Sequence, residues 1–121
     1  MEASKDIVYD FYQSDALINK EKMQAYLHPE VTLEWDSSKG FHEFDHHGLL
    51  KLADELERSY NTSRVEISHL LQEDNLVTLR YRQYVTLFEN PTEEIALAKF
   101  IVIWELKEQK LFKGYQMSQL S

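Results

Sequence analysis

Cysteine is absent from the 121 residues, which excludes disulfide scaffolds, thiol nucleophiles and cysteine-ligated zinc or iron–sulfur centres. Glycine and proline are scarce, at three and two residues. No collagen-like or low-complexity segment is present, and no glycine-rich phosphate loop, dinucleotide fingerprint or Gly-x-Ser-x-Gly elbow, so no cofactor is expected. Bases number 13 against 21 acids, a net charge of −8, and they are scattered. Nucleic-acid binding needs clustered Lys and Arg, and anionic membranes repel an acidic surface, so neither partner is expected. The longest strictly apolar run, Phe100 to Trp104, falls far short of the ~20 residues of a membrane span. Met1 to Asp10 carries acids and no apolar stretch of the secretory kind, so a cytoplasmic location is expected.

What is there suits one globular domain spanning residues 1–121: 43% hydrophobic and 28% charged residues, enough for a single core. From Asp6 to Leu27 the apolar spacing is helical, with Asn19 placed to cap a second helix that ends near Leu27. Glu30 to Asp36 alternates as a half-buried strand. Ser37 to His47 is polar and aromatic and reads as a loop. Gly48 to Tyr60 returns to helical period, with Leu49, Leu52, Ala53, Leu56 and Tyr60 in one stripe. Four strands follow, Arg64–Glu73, Leu76–Phe88, Glu94–Lys107 and Leu111–Ser118, separated by short turns that imply antiparallel pairing. Helices gathered on one face of an antiparallel sheet make an α+β domain of order α-α-β-α-β-β-β-β.

That order, with the segments AYLHPEVTLEW, HHGLLKLADEL, LVTLRYR and FIVIWELKEQKLFKGYQMS, resembles the nuclear transport factor 2-like superfamily, which includes SnoaL-like and ketosteroid isomerase-like proteins. The resemblance runs from about Ser4 to Ser118. It implies a cone-shaped, cystatin-like fold, a strongly bent sheet wrapped around three helices, a concave pocket and commonly a homodimer. The isomerase acids do not carry over: Trp35 stands where the general base would be, and Val102 where the later, protonated Asp would be. An Asp-Arg-Asp set of the epoxide-hydrolase kind is missing too, since Arg80-Tyr81-Arg82 has no Asp beside it.

Alternation sorts side chains onto the two sheet faces. The pocket side collects Val31, Leu33 and Trp35; Val65, Ile67, His69 and Leu71; Val77 to Val85 in steps of two; Phe100, Val102, Trp104 and Leu106; and Phe112, Gly114, Gln116 and Ser118. The expected ligand pocket is Tyr12, Trp35, Phe41, Phe44, Tyr81, Gln83, Phe100, Trp104, Gln116 and Ser118, with Phe41 and Phe44 as a lid. His69 and His46 are the acid–base candidates for proton-transfer chemistry of the dehydratase, isomerase or cyclase kind. The other face, with Leu97 and Leu111 among its residues, carries Arg80, Arg82, Tyr84, Ile101, Ile103, Tyr115 and Met117, an aromatic and Arg-flanked apolar patch expected to form the homodimer interface. His42, Asp45, His46 and His47 crowd one loop but lack a ligand spacing, and no metal is expected. Two functions follow: a SnoaL-like protein holding a small apolar molecule, or a non-catalytic dimeric interaction or carrier module whose pocket has collapsed.

Overall fold

A computed structural model describes residues 3–121. Met1 and Glu2, the first positions of the segment read above for a secretory signal, lie outside the described residues. Helix α1 (Ser4–Gln13) buries Ile7, Val8, Phe11 and Tyr12, an i, i+1, i+4, i+5 set that makes one face. A 3₁₀ turn (Ala16–Ile18) leads into α2 (Lys20–Tyr26). Asn19 caps α2 as its sequence suggests, its side-chain oxygen accepting from the Lys22 N–H at 3.2 Å. Strands β1 (Leu27–Ser37) and β2 (Gly40–Asp45) form a hairpin before α3 (His46–Ser59). Four strands complete the chain: β3 (Thr62–Glu73), β4 (Leu76–Leu87), β5 (Asn90–Lys107) and β6 (Lys110–Leu120).

The six strands make one sheet of order β2-β1-β6-β5-β4-β3. Two features depart from the sequence reading. The stretch read as a loop contains β2, which pairs Trp35 with His42 and Leu33 with Phe44. Gly40, at φ 118°, lets the chain reverse there. The sheet is also mixed, because β1 and β6 run parallel. All of α3 and β3 to β5 separates them in sequence, a crossover long enough for parallel neighbours.

The core lies between the helices and one sheet face. Val8, Tyr12, Val31, Val77, Leu79, Val85, Val102 and Leu111 are almost wholly sealed, each aliphatic one contributing roughly 1.5–3 kcal/mol by leaving water. Gly114 of β6 permits the closest packing. A Cβ there would come within 2.6 Å of the Trp104 ring and 2.7 Å of Leu33.

Bulges decide where strict alternation fails. The β3–β4 register shifts between Ile67 and His69, so the facing of β3 inverts beyond that point. Leu70 packs against the core, while His69 and Leu71 turn outward, against the expectation for both. A second shift, between Glu105 and Leu106, buries Leu111 in place of Phe112; Phe112 lies beside His28 and Lys107 instead. A third, between Gln83 and Tyr84, brings Leu97 onto the core side, where the sequence placed it outside. His28 is a buried polar group that the sequence did not mark. Its Nδ1 accepts from the Glu30 N–H at 3.0 Å, and its Nε2 meets Glu108 at 3.2 Å.

Candidate functional site

The space between α3 and the sheet holds a cavity in two parts. An inner chamber of about 60 Å³ is enclosed by every helical segment and by β1, β4, β5 and β6. An outer cleft of about 330 Å³ continues toward solvent past the β1–β2 turn and His42. Five residues wall both parts and form the neck between them: Trp35, Leu52, Leu56, Gln83 and Phe100. The helical stripe seen in the sequence supplies the two leucines, and inward strand positions supply the other three.

The inner chamber is lined by stacked aromatics and a short polar chain. The rings of Tyr81 and Phe100 stack 4.7 Å apart, and Tyr12 lies 4.8 Å from Tyr81. The Trp104 indole N–H donates to the Tyr12 hydroxyl at 2.8 Å. The Tyr81 hydroxyl donates weakly to the Gln116 carbonyl oxygen at 3.4 Å. Burial pushes the Tyr12 hydroxyl well above the ordinary tyrosine value; the Trp104 hydrogen bond and the neighbouring Tyr81 hydroxyl pull it back only in part. Burial also raises Tyr81, with its neighbour Tyr12 adding to the effect. Both therefore stay protonated across the physiological range. Among the described residues, no carboxylate or imidazole lines this chamber.

At the neck, Gln83 donates its amide N–H to the Ser63 hydroxyl at 2.9 Å. The Trp35 indole N–H donates to the Ser118 hydroxyl at 2.7 Å, tying β1 to β6. Phe44 and Phe100 flank Trp35 with ring centres 6.0 and 6.1 Å away.

Tyr12, Trp35, Phe44, Tyr81, Gln83, Phe100, Trp104, Gln116 and Ser118 thus come together around the cavity. Phe41 does not: it is 56% exposed on the far side of β2, so only Phe44 of the expected lid covers the cleft. His46 begins α3 and lines neither part, and the β3 bulge carries His69 to the outer face, where it meets Ser68 at 2.9 Å. Both acid–base candidates therefore lie away from the cavity. His42 lines the outer cleft instead; its alternation with Phe44 along β2 was the available signal, hidden by reading that stretch as a loop. Asp45 is the N-cap of α3, accepting from the Gly48 N–H at 2.8 Å.

On the outer face, Ile101, Ile103, Tyr115 and Met117 are all exposed. Register sets Ile101 opposite Met117 and Ile103 opposite Tyr115, so they form one patch on β5 and β6. Arg80 lies opposite Ile101 on β4. Tyr84 is half-covered by the Arg64 guanidinium, 4.6 Å from its ring, which is itself held by Glu94 at 2.7 and 2.8 Å. Among the described residues no helix is long and apolar enough to cross a membrane.

No family model and no curated protein sequence matches this chain. Solved structures do. IdmH from Streptomyces antibioticus, a proposed polyketide cyclase, superposes with a TM-score of 0.75 over 97% of this chain and 92% of its own, at 12% identity. A protein of ketosteroid isomerase-like fold from Catenulispora acidiphila, solved with trimethylamine, gives 0.72 over 92% and 83%, at 11% identity. TerC, co-crystallised with polyporic acid, gives 0.66 over 94% and 90%, at 15% identity. The helix order and the mixed six-stranded sheet therefore make the α+β fold that these structures share, the ketosteroid isomerase-like fold among them.

Proposed function

We propose that this chain binds a small, largely apolar, ring-bearing molecule in the cavity between α3 and the sheet. The observation that carries the reading is a pair of adjoining, largely apolar spaces, an outer cleft of about 330 Å³ and an inner chamber of about 60 Å³, with five wall residues in common. Pockets of this kind, apolar with a few convergent polar groups, are the usual form of small-molecule sites. The open volume favours this over a collapsed interaction module. Structural neighbours that were crystallised with an organic molecule, or are proposed to act on polyketides, support the same ligand class.

Proton transfer here would differ from the isomerase pattern. Trp35 and Val102 occupy the acid positions, and among the described residues the ionisable groups on the inner chamber are Tyr12 and Tyr81, which stay protonated and cannot abstract protons near neutral pH. His42 at the outer cleft is the one imidazole on the cavity wall among the described residues, and takes the acid–base role in any dehydratase- or cyclase-type step.

The β5–β6 patch serves as the surface of a symmetric homodimer, its contiguous Ile, Tyr and Met side chains flanked by Arg as in many interface cores. The acidic, cysteine-free composition suits a cytoplasmic protein.

A thermal-shift screen with planar apolar compounds, polyporic acid among them, tests the ligand reading. A compound at 100 times its dissociation constant stabilises by about 2.7 kcal/mol, a rise on the order of 10 °C in a domain of this size. A saturable rise supports the proposal. A silent screen with an otherwise cooperative melt counts against it.

A further inference from the structure

The neck between the two compartments has a single polar amide. Gln83 is 4% exposed and walls both the chamber and the cleft. Its amide nitrogen donates to the Ser63 hydroxyl at 2.9 Å, which leaves the carbonyl oxygen as the free end of the amide. Its carbonyl oxygen has no protein partner among the described residues. No buried side-chain nitrogen or oxygen is both sealed and unpartnered there, so this oxygen opens onto the cavity that Gln83 walls. Gln116 complements it farther in, on the wall of the inner chamber: its carbonyl accepts from Tyr81, and its amide N–H groups have no protein partner among the described residues.

Volume separates what each compartment can hold. An apolar cavity of about 150 Å³ accepts a benzene ring. The outer cleft, at about 330 Å³, exceeds that, whereas the inner chamber, at about 60 Å³, has room for a substituent and not for a ring.

We infer that the cavity selects a ring carrying a neutral hydroxyl, the ring held in the outer cleft and the hydroxyl directed through the neck to donate to the Gln83 carbonyl. This rests on the ligand-binding reading above and names its chemical class. A bare acceptor rejects carboxylates, phosphates and unsubstituted ketones, which bring no donor. With no carboxylate on the inner wall among the described residues, an ammonium donor would lose its hydration without compensation. A hydroxyl can donate to Gln83 and can also accept from an amide such as that of Gln116. A ligand without a donor would strip water from the Gln83 oxygen and return nothing, and sites built this way discriminate strongly against the analogue lacking the group.

Calorimetric titration of the full chain with 2-naphthol and 2-fluoronaphthalene tests this. Fluorine is close to hydroxyl in size but cannot donate. The expected result is binding of 2-naphthol several-fold to about tenfold tighter, the size of one such hydrogen bond. Without that bond, the hydroxyl's lost hydration would make 2-naphthol the weaker ligand. In Gln83→Leu, of similar bulk, the preference should vanish or reverse while 2-fluoronaphthalene still binds. In Ser63→Ala, which frees the amide to turn, it should shrink. Equal affinity of wild type for both probes, or a preference that survives in Gln83→Leu, overturns the selectivity alone. Failure of wild type to bind either probe overturns it together with the ligand-binding reading.

Discussion

The Trp104 indole N–H donates to the Tyr12 hydroxyl at 2.8 Å, joining α1 to β5 across 92 residues of sequence. Both side chains are buried. Tyr12→Phe keeps the ring and strands the indole N–H, which should cost about 1–3 kcal/mol, the penalty for an unmet buried donor. Urea denaturation followed by tryptophan fluorescence checks it. Unchanged stability would mean that Trp104 finds another acceptor.

The raised hydroxyls of Tyr12 and Tyr81 give stability a defined alkaline limit. Below the unfolded tyrosine value, near 10, both states hold these protons and the contribution is complete. Above it the unfolded chain releases protons that the folded chain retains, so stability falls as pH rises. The slope approaches about 1.4 kcal/mol per pH unit for each tyrosine. Denaturation midpoints measured from pH 8 to 11 should therefore drop above pH ~10, and less steeply in Tyr81→Phe. A drop as steep in that variant would place its cause elsewhere.

Gly114 faces the Trp104 ring and Leu33 at distances no methyl group can share. The Tyr12 hydrogen bond pins that ring, so it cannot simply yield. Gly114→Ala should destabilise by about 1–3 kcal/mol, as overpacking usually does, and should shift the near-ultraviolet dichroism of the tryptophans. A variant as stable as wild type would show that the Trp104 ring moves freely.

How much of this was legible in the sequence depends on local period. The stripe from Leu49 to Leu56, the Asn19 cap and the alternation through Val31, Leu33 and Trp35 name their own environments, and each lies where its spacing directs. Strand β2 was missed because six residues of mixed aromatic, acidic and imidazole character carry little β signal until Trp35 and Leu33 supply partners. His69 was misplaced for a different reason. A bulge adds one residue to one strand without any composition signal, and everything beyond it changes face. The same mechanism exchanged Leu111 for Phe112 and drew Leu97 inward. The neck around Gln83 depends on α3, packed on β1 and β2, facing β4 across the cavity, a tertiary relation that no local pattern encodes.

Association through the outer patch has its own measurement. Ile103 lies at the centre of the exposed β5–β6 residues, opposite Tyr115 and beside Thr78 of β4. Ile103→Glu would bury an unpaired charge in a homodimer contact, a large penalty there, and would be nearly neutral on a surface that stays wet. Sedimentation should find wild type dimeric at micromolar concentration and the variant monomeric with an unchanged fold. A monomeric wild type would remove the dimer from the account.

The central claim is that the cleft between α3 and the sheet holds a ring-bearing ligand against the neck at Leu52, Leu56 and Trp35. The most direct measurement is calorimetric titration of wild type and Leu56→Trp with 2-naphthol, with circular dichroism confirming that both are folded. The account predicts one saturable site per chain in wild type and its loss when the larger indole fills the neck. Absence of saturable binding in wild type, or equal binding in the two proteins, would contradict it.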